Sequence, residues 1–348
     1  MPADRLSPAR QDGSRLSQDT DAVVRAVLQV LAGKSLEQVA ALHHLDSAEL
    51  CAAAEVFCQA GGRALYQQSA SGWKQVYIEF ADWTTADGIA AAHLAPLLQQ
   101  VEAEDPSAAW WFIRKHPCWR LRLHTAAEGL SARSRLTASL DGLASAGLIR
   151  RWWRGVYEPE AAAFGGRAGM AVGHRLFHAD SRAVLMLAGQ EPTALGLREL
   201  SVLLLATLLR AAGLEWYEQG DVWHLVSRER PLPADVPPGR LEPMTADIRA
   251  LLLADTSPDG PLFGQGRPAA SATRWADAFR TAGWELGAAA REGRLERGLR
   301  NVIAYHTIFH WNRLGLSSRT QSLLAWTARE AVLGPVPASA DQHLGRAE

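Results

Sequence analysis

The spacing of apolar and polar positions divides the chain into stretches of different period. Residues 1–19 are polar and carry Pro, Gly and Ser, which predicts a loose arm. From residue 20 the spacing is helical, with Val23, Val24, Val27, Leu28, Val30 and Leu31 in one stripe that stops at Gly33. Ser35-Leu36-Glu37-Gln38 has the form of a capping box, and Ser47 opens a third helix toward Gly61-Gly62. These helices predict a small module over 20–68. At Trp73 the period changes to two, and Trp73–Phe80 alternates like a strand. A helix over 87–104, strands over 109–114 and 119–125, a helix over 131–146 and a strand over 148–158 follow. Pro96 predicts a kink or a late start in the first of these helices. The order β-α-β-β-α-β predicts a ferredoxin-like antiparallel sheet with both helices on one face. Beyond Gly165 the periodicity predicts helices at 167–188, 196–212, 243–254, 271–291, 296–313 and 317–333. A hairpin is predicted over 214–226, turning at Gly220-Asp221, with loops at 228–240 and 257–270. The predicted class is α+β: a βαββαβ sheet followed by a mainly helical half, in one domain over 70–333, with a loose tail at 334–348.

Composition adds exclusions. The 348 residues are 48% hydrophobic and 21% charged, which is too apolar for a disordered chain. Net charge is −1, from 36 basic and 37 acidic residues, and gives no global attraction to nucleic acid or an anionic membrane. No apolar run is long enough to span a bilayer, and the first twenty residues lack a signal-peptide stretch, so a cytoplasmic location is expected. Cys51, Cys58 and Cys118 form no C-x-x-C and predict neither a disulfide framework nor a zinc site. The helices over 35–62 have helix-turn-helix length but contain no Lys or Arg, which argues against DNA and for docking of a partner.

The informative charge is local. Between Trp110 and Gly155 nine cations face only Glu128 and Asp141, and five tryptophans are interleaved with them. Strand alternation puts Arg120, Arg122 and His124 on one face and Trp119, Leu121 and Leu123 on the other. That arrangement is either a solvated sheet face or a surface for an acidic peptide, because Arg forks onto carboxylates. On a helix, His174, His178 and Ser181 share a face, with Asp180 beside them. Arg175 stands where a zinc-protease helix would carry Glu, so a metal is not expected there. In Tyr305-His306-Thr307-Ile308-Phe309-His310-Trp311-Asn312-Arg313, the face with His306, His310 and Arg313 suggests the lining of a wet cavity. No phosphate loop, nucleophile elbow or dinucleotide fingerprint is present, and no cofactor is expected.

Four motifs occur in order: W-W-F-I-R…R-L-R-L at 110–123, Y-E-P-E…F-G-G at 157–166, H-R-L-F-H-A-D-S at 174–181 and F-H-W-N-R at 309–313. Together they resemble, over roughly residues 70–330, the pyridine synthases of thiopeptide biosynthesis. Those are related to the glutamate-eliminating C-terminal domain of class I lanthipeptide dehydratases. The resemblance implies a formal aza-[4+2] cycloaddition that joins two dehydroalanines of a leader-bearing, thiazole-containing ribosomal peptide. Loss of water and of the leader then aromatises the ring to a pyridine and closes the macrocycle. Eliminating members carry Arg-Tyr-Gly-Gly where this chain has Ala163-Phe164-Gly165-Gly166, and a His where it has Ile308. The resemblance therefore favours the cyclase over two alternatives, a glutamate-elimination subunit of a split dehydratase and a non-catalytic leader-binding scaffold. It implies His174, Asp180, Ser181, Tyr305, His310, Arg313 and Tyr157 as catalytic candidates. Trp119, Arg120, Arg122, Trp311 and Asn312 are the candidates for holding substrate or leader.

Overall fold

The computed structural model describes residues 12–70, 72–125, 130–188 and 195–334. The chain forms two compact units, Met1–Ser71 and Gly72–Glu348. In the first, helices α1 (Asp12–Leu31), α2 (Leu36–His43) and α3 (Ser47–Ala70) close around Ala26, Val27, Val39, Ala40 and Leu50. Helix α1 begins inside the stretch read as a loose arm, and residues 1–11 lie outside the described residues. The Ser35 side chain makes no capping bond. The cap that forms is Asp46, which accepts from the amides of Ala48 at 2.8 Å and Glu49 at 3.1 Å.

The second unit opens with β1 (Trp73–Phe80). Helix α4 (Ala86–Ile89) runs through a π turn at Ala90–Leu94 into α5 (Ala95–Glu104), with Pro96 in the tolerated first turn. Strands β2 (Ala109–Lys115) and β3 (Cys118–His124), helix α6 (Leu130–Ser145) and β4 (Ile149–Gly155) complete the βαββαβ run. The sheet order is β2-β3-β1-β4 and every pairing is antiparallel, which is the ferredoxin-like arrangement. Val76, Ile78, Trp110, Phe112, Trp119 and Leu121 share one buried core with Leu94, Leu98, Leu136 and Leu140 of the covering helices.

Seven helices follow: α7 (Gly166–Leu187), α8 (Leu197–Ala211), α9 (Trp216–Glu229), α10 (Glu242–Leu253), α11 (Thr273–Arg291), α12 (Leu299–Leu314) and α13 (Ser318–Leu333). The hairpin predicted over 214–226 is instead α9. Glu215 and Glu218 form a capping box at its start, and Gly220 is a close-packing position, where a Cβ would meet Leu333 Cδ2 at 2.5 Å. Trp284 on α11 is 67% exposed. Helix α8 is buried without interruption from Leu200 to Leu209. It crosses α11 at two glycines, where an added Cβ would lie 2.3 Å from the Leu208 carbonyl oxygen at Gly283 and 2.4 Å from that of Ala212 at Gly287. Among the described residues no helix is long and apolar enough to cross a membrane.

The crossing generates a paired prediction. Gly283→Val drives a branched side chain into backbone and lowers stability by about 1–3 kcal/mol or more. Gly142→Ala, in an open position of α6, raises it by about 0.5–1 kcal/mol. Denaturant unfolding of the two variants should move in opposite directions.

Candidate functional site

Helices α7 and α12 lie against β2, and the interface is polar. Among the described residues the outer edge of β2 has no neighbouring strand, so its free backbone groups need partners. The Ser181 hydroxyl accepts from the Phe112 amide at 3.1 Å, and Arg313 Nε donates to the Phe112 carbonyl at 3.1 Å. His178 Nδ1 lies 3.1 Å from the Trp110 amide nitrogen and 2.8 Å from its carbonyl oxygen. Three side chains from the helices thus close the strand edge.

Behind that edge sits a buried charge. Asp180 is 1% exposed and accepts from Trp275 Nε1 at 2.9 Å, from His310 Nδ1 at 3.0 Å and from Arg313 Nη1. Burial pushes its carboxyl up, but His310 and Arg313 outweigh that and hold it below the usual carboxylate range. His310 Nε2 lies 3.1 Å from Ser201 Oγ on α8, which also accepts from Trp311 Nε1 at 2.9 Å. Asp180, Ser181, His310 and Arg313, all expected to be catalytic, therefore meet, but in the interior. His310 and Arg313 are each 1% exposed. The motif residues His174, His178 and Ser181 share a helix face but reach three different partners. Among the described residues no cluster suited to a metal occurs.

The groups that face an opening lie between α12 and strands β2 and β3. A cavity of about 310 Å³ is lined by Arg114 and Lys115 of β2, Arg120 and Arg122 of β3, Glu160, Arg230 at the end of α9, and Phe309 and Asn312 of α12. Five cations face one carboxylate there. Arg122 is 4% exposed, its Nε donates to Gln75 Oε1 at 2.8 Å, and its Nη1 has no partner among the described residues. Burial pulls its guanidinium down to about 10, which leaves it cationic at neutral pH. It stacks over Trp111 at 4.0 Å and over Tyr157 at 5.3 Å. The Tyr157 hydroxyl is 2.7 Å from His174 Nε2. Burial, with His124, Arg122 and Arg175 nearby, pulls His174 down to about 4, so the imidazole is neutral at pH 7. The chain reaches these positions through Phe164-Gly165-Gly166. Both glycines have φ near +80°, and a Cβ on Gly166 would meet the Glu296 carboxyl carbon at 2.3 Å. Phe164 is thereby seated against Phe177, His306 and Phe309.

Of the expected substrate-holding residues, Arg120, Arg122 and Asn312 line the cavity. Trp119 and Trp311 do not. Trp119 is buried on the opposite sheet face, stacked on Phe112 at 4.5 Å, and Trp311 is fully buried against Trp223. Tyr305 is half-buried under Arg297, 4.7 Å from its ring, apart from the Tyr157–His174 pair. Sequence reasoning missed Gln75, which holds Arg122 and donates to the Val156 carbonyl at 3.1 Å. Its signal is its place in β1 directly opposite Arg122, visible only once the strands are paired. Arg230 and Gln321 carried no signal. Gln321 accepts from Arg230 Nε at 2.8 Å and donates to Asn312 Oδ1 at 3.0 Å, fixing two cavity residues from α13.

Two predictions follow from the buried groups. Ser201→Ala strands the Trp311 donor and costs about 1–3 kcal/mol in denaturant unfolding. His306 is buried with both ring nitrogens unpartnered among the described residues, and burial, with Arg313 nearby, pulls it down to about 3. An imidazole held neutral in the fold but protonated in the unfolded chain costs stability as pH falls below 6.5, down to the folded value. At pH 5 that loss is about 2 kcal/mol for such a group. The stability difference between pH 7 and pH 5 should therefore shrink in His306→Leu.

Among the solved structures that share the fold are three relatives of low identity. MibB from Microbispora sp. 107891, a tRNA-dependent lantibiotic dehydratase, aligns with a TM-score of 0.52 and 21% identity over 75% of this chain and 28% of its own. The pyridine synthase TbtD, from thiomuracin biosynthesis, aligns at 0.51 and 15% over 75% of this chain and 97% of its own. TsrL aligns at 0.51 and 16% over 77% and 99%. The chain thus spans little more than a quarter of the dehydratase and nearly all of the other two. No curated protein matches in sequence. The model of the lantibiotic biosynthesis dehydratase C-terminal family matches residues 73–332, and the chain belongs to that family.

Proposed function

We propose that the protein is a pyridine-forming cyclase acting on a leader-bearing ribosomal peptide. It would join two dehydroalanines by formal aza-[4+2] cycloaddition and aromatise the ring with loss of water and leader amide. One observation carries this reading. Arg122, which lines the cavity and keeps a guanidinium donor unpaired among the described residues, stacks over Tyr157, whose phenol pairs with the neutral imidazole of His174, while positions 163 and 308 hold Ala163 and a buried Ile308 in place of the arginine and histidine that resemblance assigns to elimination.

In this reading Arg122 Nη1 donates to the oxygen of the amide that adopts its iminol form, where negative charge develops. Tyr157, paired with His174, moves the proton between amide nitrogen and oxygen, and later assists departure of water. Arg120 and Asn312 orient the peptide in the cavity. Asp180, Ser181, His310 and Arg313 act as positioning residues through β2, with Trp119 and Trp311 as the packing beneath, and Tyr305 as a secondary candidate near the Phe164 turn. Holding two distant alkenes of one chain together is the largest single contribution, up to roughly 7–11 kcal/mol.

The five cations also suit a glutamyl carboxylate, which keeps glutamate elimination as the second reading. The purified protein is incubated with a leader-bearing peptide that carries thiazoles and two dehydroalanines, and separately with a glutamylated precursor. The proposal expects loss of water plus leader amide from the first by mass spectrometry. Glutamate loss from the second, with the first unchanged, overturns it. Tyr157→Phe should lower the rate at least 100-fold while its melting temperature stays within a few degrees.

A further inference from the structure

The two edges of the sheet are treated differently. The β2 edge is closed by His178, Ser181 and Arg313. The β4 edge pairs only with β1, and among the described residues no strand covers its outer side. An open edge presents a row of backbone donors and acceptors. Three of the seven β4 residues are arginines, and Arg150, Arg151 and Arg154 are all exposed. Glu79 serves both Arg150 at 3.4 Å and Arg151 at 2.7 Å. The edge is therefore charged against a second copy of itself but open to a partner of opposite sign.

A groove of about 550 Å³ lies beside this strand, between β1, β4 and α6. Its floor is Val76, Leu123 and Leu136, and Lys74, Arg133 and Arg154 supply positive charge at its walls. Arg133 Nε is buried there without a hydrogen-bond partner among the described residues. The groove's carboxylate, Asp141, accepts from Trp152 Nε1 at 2.9 Å. An extended chain paired with β4 would present alternate side chains to this groove, so acidic and apolar residues in alternation match it.

We propose that an acidic, extended peptide segment docks on the protein as an added strand along the outer edge of β4, with its side chains in the groove beside Arg154. The proposal rests on the substrate being a peptide and, within that reading, identifies where the leader binds. It is separate from the cavity lined by Arg120 and Arg122.

The test uses the full chain and fluorescein-labelled twelve-residue probes read by anisotropy at low salt. One alternates Glu and Val, one alternates Lys and Val, and one is the Glu-Val peptide with N-methyl groups on alternate residues. The Glu-Val peptide should bind, the Lys-Val peptide should not, and N-methylation should weaken binding at least 10-fold because it removes strand pairing. Arg150→Glu with Arg154→Glu, both at exposed positions, should weaken the Glu-Val peptide at least 10-fold. Bound peptide should also slow hydrogen exchange of the 149–155 amides. Equal binding of the N-methylated probe, or loss of binding on Arg120→Glu but not on the β4 pair, would overturn the proposal. None of these readouts needs turnover, so failure of pyridine formation leaves the docking result standing, and failure of docking leaves the reaction standing.

Discussion

A carboxylate removed from water must be met by cations and donors, or it will not stay ionised in the fold. Asp180 is such a group, and the second unit is arranged to meet it. Its partners come from α11 through Trp275 and from α12 through His310 and Arg313. His310 passes the link to Ser201 on α8, and Arg313 passes it to the Phe112 carbonyl of β2. One anion on α7 therefore ties three other helices and a strand to itself. Apolar clusters of the same volume can hold helices as firmly, but hydrogen bonds to a fixed carboxylate also set direction and register.

That arrangement decides which side chains are sealed in the interior. Residues facing Asp180 are sealed, whereas Arg122 lines the cavity between the sheet and α12 and stacks over Tyr157, which pairs with His174 of α7. The motif with two histidines, an aspartate and a serine turns out to be divided by function. His178 and Ser181 close a strand edge, Asp180 anchors the helices, and His174 alone meets the tyrosine. Neutral net charge conceals this local order, because the cations gathered on the sheet are balanced elsewhere in the chain.

The sheet was legible in the sequence because a period of two over Trp73–Phe80 and an Arg-Leu-Arg alternation leave few other structures. The helices of the second half were legible for the same reason, except α9, where Gly220-Asp221 resembles a turn and only the contact with Leu333 explains the glycine. The site was less legible. Helical spacing places His310 and Arg313 on one face, but a face lining a cavity and a face clasping a buried anion have the same period. What separates them is Asp180, 130 residues from His310, and no local pattern records that meeting. Gln75 and Gln321 were missed because their partners are likewise distant in the chain. Interleaving with arginines likewise does not tell which tryptophans are covered: Trp110, Trp111 and Trp119 are buried, whereas Trp153 is exposed.

The central claim is that Asp180 and Arg313 act as one coupled pair within this network. A double-mutant cycle measures it most directly, with Asp180→Asn, Arg313→Gln and the double variant compared by denaturant unfolding at pH 7. The account predicts that each single change is strongly destabilising and that the double change costs much less than their sum, with a coupling of about 2 kcal/mol or more. Additive effects, with coupling under about 0.5 kcal/mol, would contradict it.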